Sequence, residues 1–328
     1  MRSFDGQAPV PASLSALARL APALVAPPRD LALAVDVCQV VEAYCVLGPE
    51  RLPRESLDAL AGPLAALAGE VNWRANRDVD KCLEASLAWC PAVALAALGR
   101  DDFKAIKLLA RDALEARVPD AVKAQHLAVL ARCLCRDAAA VAAALGEGLA
   151  LDILRAYLDR AHVRGDALSV DEVARAAPGD GVRVHRAKMG ALAALRLAAL
   201  GDGLFLSQLD ATLTLVNEAL RLAAASAENP MAAPVHLARA PRVSGRGDRA
   251  DGLDGVAEVG TDDDDDAALV FPLDTLCAWR VGHDWAQVDL AAVARQALAD
   301  ASARVGPAAF REALDAVDAA ILGQLGFK

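Results

Sequence analysis

Residues 101–119 read DDFKAIKLLARDALEARVP, and this stretch decides the fold class. Its apolar side chains recur at intervals of three and four residues, at Ile106, Leu109, Ala110, Ala113 and Leu114. That spacing places them on one face of an α-helix. Asp101 or Asp102 is expected to cap this helix, which is predicted to reach Ala116.

The same periodicity extends in both directions along the chain, punctuated by glycine and proline at helix ends. Further helices are predicted over Arg29–Leu47, Pro53–Ala68, Asn76–Leu98, Pro119–Leu145, Leu149–Ala161, Ser169–Ala177, Val184–Leu200, Leu204–Ala225, Leu273–Val281, Asp289–Arg304 and Pro307–Leu322. No window alternates with the period of two that a strand requires. The predicted fold class is all-α. Because no residue signature recurs at a fixed period, we expect an irregular multi-helix bundle, with a solenoid-like array as the alternative.

The chain is predicted to have three parts. Residues 1–226 form the main helical domain. Residues 227–268 are rich in Gly, Arg and Asp and lack the apolar density needed to offset the entropy of ordering, so they are predicted to be a long flexible insertion. Residues 269–328 carry helices with apolar faces, which we expect to pack back on the main domain.

Composition limits the cellular location. Of the 328 residues, 55% are hydrophobic and only 4% aromatic, so the core is expected to consist mainly of Ala, Leu and Val. No apolar stretch reaches the ~18 residues of a membrane span, and the amino terminus does not resemble a secretory signal. A cytoplasmic protein without membrane contact is predicted.

The seven cysteines show no zinc spacing and are interpreted as reduced core thiols.

Negative charge is concentrated in one segment. Residues 248–266 contain nine acidic residues and one arginine, a net charge of −8 out of −10 for the chain. The segment ends in the run Asp262, Asp263, Asp264, Asp265 and Asp266. Adjacent aspartates diverge instead of converging on a cation, so no metal site is predicted. The run keeps a linker hydrated or attracts a basic protein partner, and nucleic acid is disfavoured because no dense basic patch is present.

Aromatic and histidine residues supply the remaining candidates for a site. His283 and Asp284 lie beside Trp279 and Trp285, a cluster that could provide anchors for a partner. A catalytic role for the histidine is not expected, because neighbouring side chains on a helix diverge. Trp73 lies in a mixed polar and aromatic stretch between predicted helices and is a further partner-binding candidate. No catalytic motif, no cofactor motif and no metal motif occurs.

Three stretches carry a resemblance to a known family. They are LEASLAWCPAVALAALGRDD at 83–102, LFLSQLDATLTLVNEAL at 204–220 and FPLDTLCAWRVGHDW at 271–285. Together they resemble the helical polymorphic-toxin immunity proteins, the forty-ninth family of that group. Phe205 and Leu209 match the first helix of its carboxy-terminal part, and Pro272, Leu273, Leu276 and Gly282 match the second in part. The resemblance implies a non-enzymatic protein that neutralises a toxin by occlusion.

The functional prediction is therefore a protein-binding protein of the bacterial cytoplasm, an immunity protein whose partner is a basic toxin domain. A helical scaffold or adaptor is the alternative, and an all-α enzyme with an unrecognised active site is a third possibility. The oligomeric state is not predicted.

Overall fold

The computed structural model describes residues 12–27, 30–47, 54–163, 181–200, 203–228 and 288–326. Within these ranges the chain is helical and contains no strand, which confirms the all-α prediction. The predicted helices Ser169–Ala177 and Leu273–Val281 lie outside the described residues, as does the predicted insertion beyond Glu228.

The helices of the first half are α1 Ala12–Val25, α2 Leu31–Leu47, α3 Arg54–Ala68, α4 Trp73–Trp89, α5 Pro91–Leu98, α6 Arg100–Leu114, α7 Asp120–Leu145 and α8 Glu147–Leu158. A 3₁₀ turn, Ala161–Val163, follows α8. The later helices are α9 Gly181–Ala198, α10 Gly203–Leu206, α11 Leu209–Glu228, α12 Leu290–Val305, α13 Pro307–Asp315 and α14 Ala319–Gln324.

The larger helices pack in two rows. One row contains α1, α3, α5, α6 and α8, and the other contains α2, α4, α7, α9 and α11. Each helix contacts the next one in its own row and a helix of the opposite row. This is the geometry of an α-solenoid, in which stacked helix pairs bury one continuous core. The structure thus shows the predicted all-α arrangement of many helices, and the order of contacts along its two rows is solenoid-like.

Helix α7 lies at the centre of the array, in contact with α4, α6 and α9. Every side chain from Ala124 to Leu134 is buried, so this part of the helix is enclosed on all sides. Gln125, His126 and Arg132 fall within it. The enclosed position forces these polar side chains to find partners inside the protein.

The break between α4 and α5 corrects the prediction of one helix over Asn76–Leu98. The chain leaves helical geometry at Cys90 (φ −132°, ψ 58°), and Pro91 begins α5 at its first position. Proline lacks the backbone N–H and clashes with the preceding turn, so it starts a helix more readily than it continues one.

The start of α6 corrects the expected cap. Neither Asp101 nor Asp102 caps the helix, because both, together with Phe103, have left-handed backbone conformations with φ near 50–57°. Asp102 instead pairs with Lys107 through side chains. The regular part of α6 therefore begins after Phe103, and the left-handed turn joins α5 and α6 where α5 has ended at Leu98.

The carboxy-terminal helices pack on the last two long helices of the array. Helix α12 contacts α9 and α11, while α13 and α14 contact α11. Asp289 caps α12 by accepting a hydrogen bond from the backbone N–H of Ala292 at 3.0 Å. Val288, next to this cap, and Val293 border the same space as Leu192 and Arg196 of α9.

Candidate functional site

The partner-binding candidates of the sequence analysis lie almost entirely beyond the described chain. Trp279, His283, Asp284, Trp285 and the run 262–266 fall in the range 229–287, outside the described residues. Trp73 begins α4, and its side chain is not among those described. These candidates stay predictions.

The structure reveals a buried polar pair that the sequence did not indicate. Asp80 on α4 and His126 on α7 share a hydrogen bond between Oδ2 and Nδ1, and both side chains are 0% exposed. Burial raises the pKa of Asp80 above its ordinary value, and the hydrogen bond and charge of His126 act in the opposite direction. The pair joins two neighbouring helices of one row.

A chain of polar contacts continues from this pair along α4 and α7 to α9. Glu84 accepts hydrogen bonds from Gln125 at 2.8 Å and from Arg132 Nε at 3.2 Å. Gln125 in turn accepts a hydrogen bond from Arg186 of α9 at 3.1 Å. Three successive helices of the row are therefore joined through one carboxylate and one amide.

A histidine oriented by an aspartate is a general-base arrangement in many enzymes, so the accessibility of the Asp80–His126 pair decides its role. Neither side chain has exposed surface, so the pair lies in the core, where it links α4 to α7. Sequence reasoning missed it because its members are 46 residues apart and neither belongs to a local motif.

One end of the polar chain opens into a cavity of about 340 Å³ between α4, α7, α9 and the start of α12. Three arginines line it, Arg132 and Arg136 from α7 and Arg196 from α9, together with Cys135. Its remaining walls are apolar: Leu87, Leu192, Val288 and Val293. We call this the arginine cavity.

Cys135 is half-buried, whereas Cys38, Cys82, Cys90 and Cys133 are buried, and none of these five described thiols forms a disulfide bond. Four of the five thus lie in the core, and their reduced state stays a prediction. Burial raises the pKa of Cys133 to about 12, which makes it an inert core thiol. Cys135 is thus the more accessible of the thiols that the structure describes.

A second buried histidine lies on the opposite row. His162, in the 3₁₀ turn after α8, packs its ring against Tyr157, with ring centroids 5.5 Å apart. Its other neighbour is Gly190 of α9, where a Cβ atom would overlap the imidazole. In the described chain neither ring nitrogen of His162 has a hydrogen-bond partner. The absence of a side chain at position 190 therefore makes room for this ring.

Gly190→Ala is expected to lower the free energy of unfolding by about 1–3 kcal/mol, since the added methyl group must displace a buried ring. Chemical denaturation of the purified protein measures the change. Gly148→Ala is the matched control, because a Cβ there meets nothing within 4 Å. The double variant Gly190→Ala/His162→Ala should recover part of the loss. Equal stability of Gly190→Ala and the parent protein would contradict the close packing of the ring.

The exposed surface of α2 carries apolar side chains. Leu33, Asp36 and Val40 are spaced by three and four residues and all three are exposed, Leu33 to 46% and Val40 to 37%. Such spacing places them on one side of the helix. We call this set the α2 face. Leu31 of α2 and Leu20 of α1 add exposed apolar area near the same end of the array.

No helix among the described residues has the length and apolar character to cross a membrane. No three or more His, Cys, Asp or Glu side chains in the described ranges are grouped so that they could hold a metal ion.

Comparison with known proteins adds no relative: no family model, no curated protein and no solved structure matches this chain. The resemblance to toxin immunity proteins therefore stays a prediction.

Proposed function

We propose that the chain is a non-enzymatic protein-binding protein that contacts its partner through the α2 face. The observation that carries this proposal is the exposure of Leu33 and Val40 on either side of Asp36. Within the described chain α2 packs on α1 and α4, and the α2 face is left uncovered at the amino-terminal end of its row. Apolar side chains surrounded by polar ones are typical of contact surfaces.

The chemistry of the α2 face defines the partner that fits it. Leu33 and Val40 call for an apolar surface, and the carboxylate of Asp36 between them calls for a basic side chain. A lysine or arginine aligned with Asp36 would contribute mainly to specificity and association rate, and apolar burial would contribute mainly to affinity. The net charge of −10 on the chain also favours a basic partner.

The specific form that we propose is an immunity protein of the bacterial cytoplasm, which neutralises a basic toxin domain by occlusion. The support for this form is the resemblance of residues 83–102, 204–220 and 271–285 to that family, together with the concentrated acidic charge. Occlusion needs a rigid scaffold and a complementary surface, and the array of packed helices supplies the scaffold.

A helical scaffold or adaptor is the second candidate, favoured by the two-row arrangement of the helices. Stacked helix pairs provide extended surfaces that bind other proteins, without chemistry of their own. The two candidates predict different partners. The partner of an adaptor acts in the same process as the adaptor, whereas the partner of an immunity protein is toxic when it is produced alone.

Site-specific cross-linking in the organism that encodes the chain tests the α2 face. A photoreactive amino acid at Val40 is expected to capture a heterologous basic protein, and the same amino acid at Ala139, an exposed position of α7, is not. Leu33→Asp/Val40→Asp should weaken binding of the purified partner by at least about tenfold, because a buried apolar contact is lost and repulsion is added. Exposed substitutions of this kind should change stability by less than about 0.5 kcal/mol.

The outcomes separate the proposals. Capture of only a second copy of this chain from position 40 would overturn the proposed function in favour of self-association. Equal capture from positions 40 and 139 would reject the α2 face as the contact surface. If the captured partner arrests growth when expressed alone, and the parent chain but not Leu33→Asp/Val40→Asp restores growth, the immunity form is supported over the adaptor.

A further inference from the structure

We propose that the arginine cavity binds a small organic anion, a molecule with a doubly charged phosphate or paired carboxylates on an apolar carbon body. The site lies where α4, α7, α9 and the start of α12 meet, and it is separate from the α2 face. It does not depend on the proposed protein-binding function.

The lining of the cavity contains three arginines and no acidic side chain among the described residues. Arg132, Arg136 and Arg196 all border the same space of about 340 Å³. Among the described residues, Glu84 pairs with Arg132, while neither Arg136 nor Arg196 forms an ion pair. Glu84 therefore offsets the charge of Arg132, and the positive charges of Arg136 and Arg196 are the ones that an anion in the cavity would pair with.

The deepest arginine of the cavity is held in place before any ligand arrives. Arg132 is 3% exposed, and its Nε donates to Glu84 at 3.2 Å. Glu84 is itself fixed by Gln125, which Arg186 holds from α9. A guanidinium group oriented in this way recognises phosphate or carboxylate with little loss of conformational entropy.

The apolar walls define the rest of the ligand. The apolar lining consists of Leu87 of α4, Leu192 of α9, and Val288 and Val293 at the start of α12. A cavity of this volume is in the range of small-molecule sites, which combine apolar walls with a few polar groups that fix orientation. A bare inorganic ion would leave these walls without contact, so an organic anion fits better than a free phosphate ion.

Cys135 supplies a reporter inside the cavity. It lines the site and is half-buried, so its alkylation by N-ethylmaleimide can be followed at the single peptide that contains it. A ligand in the cavity should slow this alkylation. The other described thiols are buried and do not compete for the reagent.

The test uses the full-length protein and three probes: phenyl phosphate, inorganic phosphate and phenol. We expect phenyl phosphate at millimolar concentration to slow alkylation of Cys135 and to give a measurable dissociation constant by calorimetry. Inorganic phosphate should bind more weakly, because it lacks the apolar body, and phenol should not protect. Arg136→Gln and Arg196→Gln should each weaken phenyl phosphate binding by about tenfold or more, the loss of one charge-assisted hydrogen bond.

Arg111→Gln, an exposed arginine of α6 that does not line the cavity, is the matched control and should leave binding unchanged. Arg136 is exposed and Arg196 is half-buried, so their variants are expected to fold, and circular dichroism verifies this. Absence of protection by phenyl phosphate, or equal binding to the parent protein and to Arg136→Gln/Arg196→Gln, would overturn the proposal. Protection by phenol would show an apolar site that does not select anions.

Discussion

Acidification from about pH 7.5 to about pH 5 is expected to destabilise the protein by about 2 kcal/mol through one side chain, His162. Burial lowers the pKa of this histidine from 6.5 to about 3, and the charges of Arg186 and Arg160 act in the same direction. Below pH 6.5 the unfolded chain takes up a proton at this position and the folded protein does not. The contribution of neutral His162 to the free energy of unfolding is therefore complete above pH 6.5 and is lost as the pH falls towards 3.

The measurement is the free energy of unfolding by urea at several pH values, for the parent protein and for His162→Leu. The variant cannot titrate at position 162, and it removes two ring nitrogens that have no hydrogen-bond partner in the described chain. The difference in stability between the two proteins should thus change by about 1.4 kcal/mol per pH unit between pH 6.5 and 3, in favour of the variant at low pH. All other titrating groups are common to both proteins and cancel in the difference.

Buried Asp80 changes the pH dependence of stability in the opposite direction to His162. Comparison of the parent protein with His162→Leu separates the two contributions. Burial raises the pKa of its carboxyl group above 3.8, so its contribution to stability decreases as the pH rises through that raised pKa. Because Asp80 is present in both proteins, it cannot account for a difference between them. A pH dependence that is identical in the parent protein and His162→Leu would show that His162 titrates normally.

The helices could be predicted from the sequence because the information for them is local. The run Ile106, Leu109, Ala110 and Ala113 is buried on one face of α6, as its spacing requires. The outer ends of α7 agree with the prediction to within one residue, since Pro119 and Gly146 act on the backbone beside them. The prediction of one uninterrupted helix was wrong, because the chain leaves helical geometry at Asp137 (φ −151°, ψ 80°), whose side chain accepts a hydrogen bond from the backbone N–H of Ala140. Where prediction failed, as at Asp101, the backbone conformation depended on how α5 and α6 pack, which local propensity does not contain.

The buried polar chain and the arginine cavity could not be predicted in the same way. Asp80 and His126, Glu84 and Arg132, and Gln125 and Arg186 each lie on different helices, separated by 46, 48 and 61 residues. Without a fixed repeat period, the order in which helices stack is not written in the spacing of the apolar residues. One indication was available: His126 and Arg132 fall in an apolar stretch of α7 that is too long for one face, and polar residues in such a stretch need buried partners.

The largest loss of stability from a single substitution is expected for Asp80→Ala, about 3–5 kcal/mol of the free energy of unfolding. The substitution leaves the imidazole of His126 enclosed, with no carboxylate to bond its Nδ1, and Nε2 already has no partner in the described chain. Urea denaturation at neutral pH measures the loss. Asp78→Ala, two residues away, removes a surface hydrogen bond to Gln39 and serves as the control, with an expected change below about 1 kcal/mol.

A double variant tests whether the pair itself stabilises the fold. Asp80→Ala/His126→Phe removes both polar groups and roughly conserves the buried volume. Replacing a buried polar pair by apolar side chains is often neutral, whereas removing one partner is costly. We therefore expect the double variant to recover at least half of the loss caused by Asp80→Ala. If the double variant is no more stable than Asp80→Ala, the loss comes from the cavity at position 80 and the imidazole contributes nothing to it. If it recovers, the pair acts mainly to align α4 with α7. That alignment carries Glu84 to Arg132 and so fixes the innermost guanidinium group of the arginine cavity.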